Sequence, residues 1–301
     1  MTVVAVIIGI WYAACIPMNI HGTVNLARQH GFEAQPEGRR ARLQTGAFQL
    51  AALNPQAIPF VWSEEKPRLP APHQVAVELW ETTAEKRVTS KRSLVYHGWI
   101  TLSATMLGFL FGTVLGILLA VGIVHNRAME LSVMPWVIAS QTIPILAIAP
   151  MIIVVLNAVG LSGLIPKALI STYLSFFPVV VGMVKGLRSP DRLQLDLMAT
   201  YGASPAQVFW KLRLPASLPY LFASLKVAVA ISLVGAIVGE LPTGAVEGLG
   251  ARLLAGSYYG QTIQIWSALF AAAILAAGLV AFVALLGRVV TARMGGQGAP
   301  A

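Results

Sequence analysis

Few residues in this 301-residue chain are of a type and spacing that could do covalent chemistry. Gly160-Leu161-Ser162-Gly163 has the Gly-x-Ser-Gly form of an intramembrane serine protease, which also needs a histidine on a later helix to take the serine proton. The histidines are His21, His30, His73, His97 and His125, and none follows Ser162, so Ser162 reads as a turn residue between two glycines. No histidine has an i,i+4 partner and Cys15 is the single cysteine, which leaves neither a metal cluster nor a disulfide framework. No Gly-x-x-x-x-Gly-Lys-Ser/Thr segment is present to cradle ATP phosphates. Arg192 and Asp196 stand four apart, the spacing of a structural surface pair rather than of proton chemistry.

Polar residues inside apolar segments are the other chemistry-bearing class, because lipid makes them costly. Gln141 and Thr142 precede Pro144; Asn157 comes late in the same segment; Thr172, Tyr173 and Ser175 cluster in the next; Ser232 and Glu240 lie further on. These residues are candidates for a substrate path. The plainer reading of each is a hydrogen bond between helices. Glu240, before Leu241-Pro242, is expected at an outer mouth, meeting a partner or capping the next turn. A transporter driven by an ion gradient would need a relay of such carboxylates, and Glu240 is nearly alone.

The elements that must position these residues are membrane helices. Hydrophobic residues make up 56% and charged residues 11% of the chain, against about 25% charged in soluble domains. Mean hydropathy is +0.73. The formal charge of +9 lies in loops between apolar runs, which fits a lipid surface and leaves no aromatic-interleaved groove for nucleic acid. Residues 1–20 read as a first transmembrane helix that Pro17 kinks or ends. Residues 21–98 form an outer segment with an amphipathic helix at 73–87; its semi-apolar patch, 46–62, is broken by prolines and does not span. Residues 99–290 hold five apolar runs, at 99–124, 136–159, 164–187, 218–240 and 263–290, each long enough to cross. Residues 244–261 read as a re-entrant or surface stretch, and 291–301 as a cytoplasmic tail. Gly108, Gly112 and Gly116 give a face for close helix packing, within the chain or against a second copy. Lys185, Arg188, Arg192, Lys211 and Arg213 place the loop at 188–217 in the cytoplasm.

That loop is the long polar interruption in the apolar run. Ser189 is expected as an N-cap with Pro190 at the first helical position, the helix running to Tyr201 and stopping at Gly202. Ser204, Pro205 and Gln207 repeat the signal as a capping box, and Pro215 is expected to end the second helix. Val208, Phe209 and Leu212 share one face of that helix, which either plugs a partner's groove or packs on the chain's own helix ends.

The loop resembles the EAA loop of ABC-importer permeases. Asp196 holds the acidic position, Leu197 and Met198 replace the two alanines, Gly202 is the glycine with Ala203-Ser204 after it, and Leu212 with Leu214-Pro215 forms the ending. The likeness extends from about Leu69 to Arg288, through LPAP, TLSATMLGFLFGTVLGILLA, SQTIPILAIAP and EGLGARLLAGSYYGQTIQIWSALFAAAILA. It is similar to the branch serving nitrate, sulfonate, taurine and pyrimidine-precursor importers. The resemblance implies an all-α integral membrane protein of the cell inner membrane, a type I importer bundle of about six transmembrane helices with a cytoplasmic coupling helix. It implies no cofactor on this chain, with ATP and Mg on a partner ATPase. It also implies a second permease subunit, two ATPase subunits and an outer solute-binding protein. ATPase coupling would fall on Asp196, Gly202, Ala203, Ser204, Val208, Phe209, Leu212, Leu214 and Pro215.

Overall fold

The computed structural model describes residues 2–29, 31–241 and 247–293. His30, the start of the expected 244–261 stretch and the tail beyond residue 293 lie outside the described residues. The elements are α1 (Thr2–Gln29), α2 (Arg39–Gln44), α3 (Ala47–Leu53), a 3-10 helix (Pro55–Trp62), α4 (Pro72–Trp80), α5 (Leu94–His125), α6 (Arg127–Ser140), α7 (Ile145–Ala158), α8 (Leu164–Leu187), α9 (Arg192–Thr200), α10 (Pro205–Val208), α11 (Leu214–Gly239), α12 (Leu249–Tyr258) and α13 (Thr262–Arg293). The described residues contain no strand. They fall into two compact units, Met1–His97 with Ala251–Ala272, and Gly98–Gly250 with the chain from Ala273 on.

In the second unit α8 is the central member, and small residues let its neighbours approach. A Cβ on Gly108 or Gly112 of α5 would collide with Ser171 or Ser175 of α8, and one on Gly116 would lie 2.7 Å from Val179 Cβ. The glycine stripe therefore packs inside the chain. From α11, Gly235 meets Ser171 at a comparable 2.7 Å, and α8 returns the relation with Gly182 on Ser224 and Gly186 on Ser217. Hydroxyls then cross-link the three helices. Ser171 Oγ donates to Ser232 O at 2.9 Å, Ser232 Oγ to Thr105 O at 2.9 Å, and Thr172 Oγ1 to Gly108 O at 3.2 Å.

The run at 136–159 is not one straight span, as the sequence suggested. α6 and α7 meet at a 98° bend. Pro144, which has no N–H, sits in extended backbone as the residue before α7, and Gln141 and Thr142 close α6 through backbone bonds to Ile138 and Ala139. The bent pair still makes one crossing. The far end of α5 lies beside the 188–213 loop, since His125 contacts Phe209 and Glu130 pairs with Arg188. α8 ends at that same loop, so it begins on the opposite side, and the chain from His125 to Leu164 has to cross between them. Together with α1, α5, α8, α11 and α13, which are long and apolar enough to span, this gives six.

In the first unit α1 does not stop near residue 20 but continues through Pro17 to Gln29. Its second half is held by protein rather than released into water. Buried Asn19 donates to Leu69 O at 2.7 Å and accepts from Leu69 N at 3.0 Å, while Leu50, Ala57 and Val61 pack with Ile20 and Val24. The patch at 46–62 folds as α3 and the 3-10 helix against α1, neither long enough to cross. The expected amphipathic helix is α4, extended by a π-helical turn to Glu85.

Candidate functional site

The loop at 188–217 is a folded knuckle fixed at both ends. Capping decides where its first helix begins. Asp191, not Ser189, is the N-cap: its Oδ1 accepts from Gln194 N at 2.9 Å while Gln194 Oε1 accepts from Asp191 N at 3.3 Å. Ser189 instead turns back, its Oγ donating to Gly186 O at 2.7 Å near the end of α8. α9 ends in a Schellman motif, with Gly202 N bonded to Ala199 O and Ala203 N to Met198 O. The motif needs a left-handed residue, and Gly202 supplies it at φ +64°. Nothing lies within 4 Å of where its Cβ would be, so the constraint is backbone conformation and not space.

The second capping box forms as the sequence indicates, with Ser204 N donating to Gln207 Oε1 at 2.8 Å and Gln207 N to Ser204 Oγ at 3.3 Å. Pro215 does not end the helix. A π-helical turn over Phe209–Arg213 widens the backbone just before it, and the helix runs on into α11. The wider turn accommodates both the ring and the missing N–H. The knuckle is thus continuous with a membrane helix, a single helical path from Pro205 to Gly239.

The side chains of the knuckle divide between the bundle and the outside. Phe209 and Leu214 pack inward on a cluster that includes Ile123, Val180, Met183 and Leu187. Val208, Leu212, Ala203 and Pro215 are half-buried, and Asp196, Gly202 and Ser204 are exposed. The large apolar side chains left outside are Leu193 (78% exposed), Leu197 (56%), Tyr201 (80%) and Trp210 (65%). The first three step by four along one stripe of α9 and its C-cap, a spacing legible in the sequence. Among the described residues no ion pair joins Arg192 to Asp196.

Two polar contacts bolt the knuckle to the bundle. Arg213 Nη1 donates to Leu187 O at 3.1 Å, closing the last turn of α8. Arg188 pairs with Glu130 at 3.0 Å, tying the exit from α8 to the first turn of α6.

The polar residues proposed for a substrate path do not converge. Thr172, Ser175 and Ser232 are buried in the α5–α8–α11 packing, donating to backbone carbonyls. Tyr173 donates to Ser140 O at the end of α6. Gln141, Thr142 and Asn157 are exposed on the α6–α7 pair. Glu240 is not at an open mouth. It is fully buried, accepting from Thr101 Oγ1 at 3.0 Å and Gly250 N at 2.9 Å, with Lys167 Nζ 3.7 Å away. Glu240 thereby helps close the start of α12, since Gly250 lies in its first turn and the adjacent Leu249 N donates to Thr101 Oγ1 at 2.9 Å.

A family model described as binding-protein-dependent transport system inner membrane component matches residues 112–296. The formylaminopyrimidine transport permease protein of Halalkalibacterium halodurans is 34% identical over 183 residues, 60% of this chain and 68% of that one. The riboflavin transport system permease protein of Chloroflexus aurantiacus is 32% identical over 220 residues, 73% of this chain and 78% of its own length. Among solved structures, a chain of the MetNI methionine ABC transporter in an inward-facing conformation superposes with a TM-score of 0.58 at 20% identity, covering 66% of this chain and 96% of that one.

Proposed function

The chain belongs to the binding-protein-dependent transport system inner membrane components, the permease subunits of ABC importers, and from that premise we propose how its knuckle works. The permease is not itself an enzyme; hydrolysis of ATP takes place on a separate subunit. The observation that carries the proposal is the group of exposed apolar side chains on α9 and the π-helical turn, standing on a segment bolted to α6 and α8. Leu193, Leu197, Tyr201 and Trp210 seat on the ATPase subunit, with Asp196, Gly202, Ala203 and Ser204 shaping the loop between them. Phe209, Val208, Leu212, Leu214 and Pro215 act one layer in, as the joint between that seat and the bundle.

Closure of the ATPase around ATP and Mg then moves the knuckle. Because α10, the π-helical turn and α11 form one helical path, the displacement passes directly into α11. The hydroxyl cross-links oblige α5, α8 and α11 to move as one body, which is a rigid rocking of the bundle rather than a local deformation. The working assembly is a pair of these permeases with two ATPase subunits inside and a solute-binding protein outside. The cargo is a small polar or anionic nutrient; the relative named for a formylaminopyrimidine supports a pyrimidine-precursor-like one. Selection rests with the outer binding protein, and among the described residues the candidate path side chains do not converge. The test is co-purification with the ATPase subunit. Wild type retains it, whereas Tyr201→Asp with Trp210→Asp loses it while staying folded; retention in that variant overturns the assignment of the seat.

A further inference from the structure

The first unit carries a cleft of about 580 Å³ lined by Asn25, Arg28, Arg39 and Arg42, three guanidinium groups with no carboxylate in the lining. Arg42 is buried and already committed: Nη1 donates to Pro36 O at 3.1 Å and Glu37 O at 2.9 Å, and Nη2 to Asn25 Oδ1 at 3.3 Å. That bonding fixes one wall of the cleft. Arg28 and Arg39 are exposed, and among the described residues neither has an ion pair or a side-chain hydrogen bond. Glu33 and Glu37 lie on the neighbouring segment, yet neither carboxylate pairs with them. Three like charges gathered around one cleft repel one another unless an anion stands between them. Guanidinium groups suit phosphate in particular, through paired N–H donors.

Position supplies the second argument. The apolar run of α1 ends at Ile20, which marks where this span leaves the hydrocarbon layer. Asn25 and Arg28 then fall at headgroup level, since the helix advances about 1.5 Å per residue. The geometry points to a phosphate-binding site in this cleft, with Arg28 and Arg39 as the free donors, Arg42 and Asn25 as the fixed wall, and a phospholipid headgroup as the source of the phosphate. The site lies outside the 112–296 family match.

The experiment uses the full-length permease in nanodiscs made with or without an anionic phospholipid, followed by native mass spectrometry for retained lipid and calorimetry with inorganic phosphate. Arg28→Gln with Arg39→Gln is the test variant; both side chains are exposed, so folding should be unaffected, and Arg28→Lys with Arg39→Lys checks charge against fork geometry. Loss of retained phospholipid by about tenfold or more in the Gln pair, with the Lys pair between, upholds the site and the bilayer as its source. Saturable inorganic phosphate binding to wild type alone, without lipid retention, upholds the site with the free anion as its source. Equal lipid retention and equal phosphate binding in wild type and the Gln pair overturn it.

Discussion

Phe209 lies edge-on to His125, ring centroids 5.2 Å apart and planes at 68°, and this contact holds the knuckle to the end of α5. Its neighbour Trp210 contacts the Phe209 ring at 5.2 Å and turns outward. One ring thus faces the bundle and the next faces outward. Phe209→Ala should therefore leave ATPase binding largely intact but weaken the coupling of hydrolysis to uptake, while Trp210→Ala weakens binding itself. Truncating a central aromatic anchor costs on the order of 2 kcal/mol, or roughly thirtyfold in affinity. Titrating the purified ATPase subunit against each variant separates the two.

Gly202 supplies a backbone conformation, not room. Gly202→Asn, which tolerates the left-handed region, should retain transport, whereas Gly202→Val should lose coupling. The difference expected from backbone strain is about 1–2 kcal/mol. ATP-driven uptake in proteoliposomes ranks the pair; equal activity of the two variants would remove the Schellman turn from the account.

Ser204 acts as a cap, so its chemistry is replaceable by another oxygen acceptor. Ser204→Asn should behave as wild type and Ser204→Ala should lose about 1 kcal/mol of local helix stability. Hydrogen exchange at Gln207 N, whose acceptor is the Ser204 hydroxyl, reports the change directly.

Glu240 is a staple at the other end of the bundle. Glu240→Ala leaves Lys167, Thr101 and the Gly250 amide facing an empty site, and breaking a buried pair of this kind costs about 3–5 kcal/mol. Glu240→Gln keeps the acceptor for Gly250 and should lose much less. Thermal unfolding in detergent distinguishes them. A binding-protein contact at Glu240 would instead show wild-type stability in both variants with impaired delivery.

The close packing of α5 on α8 gives a prediction for the membrane core. Gly112→Val would drive a side chain into Ser175 and Phe176, and overpacking of this kind costs about 1–3 kcal/mol. Gly278, with nothing within 4 Å of its Cβ position, should accept Ala without loss. Paired melting curves check both.

Much of this was legible in the sequence because it was written in local signals. Length of apolar run gave the spans, and Ser204-Pro205-x-Gln207 gave a capping box that forms as read. Errors arose where tertiary context outweighed a local rule. Pro17 is expected to kink or end its helix and Pro215 to end one, but α1 continues because Asn19 and its neighbours are held by the 47–70 segment, and α11 continues because a π-helical turn accommodates the ring. Pro144 does break its helix, and the bent crossing it makes was hidden inside an unbroken apolar run. Ser189 and Asp191 are both good caps, and only the geometry at the end of α8 chooses between them. The facing of Phe209 and Trp210 also depended on the π-helical turn, since helical spacing at 3.6 residues misplaces side chains across it. The polar residues of the spans needed their partners to be seen before they could be read as cross-links.

In the proposed assembly the knuckle stands on the cytoplasmic side and is covered there by the ATPase. Tyr201→Cys in a Cys15→Ser background places a single thiol on its exposed face. A membrane-impermeant maleimide should leave that thiol unlabelled in intact cells and label it in inverted vesicles, with labelling suppressed when the ATPase subunit is co-expressed. Labelling in intact cells, or labelling of inverted vesicles that the ATPase does not reduce, would contradict the account.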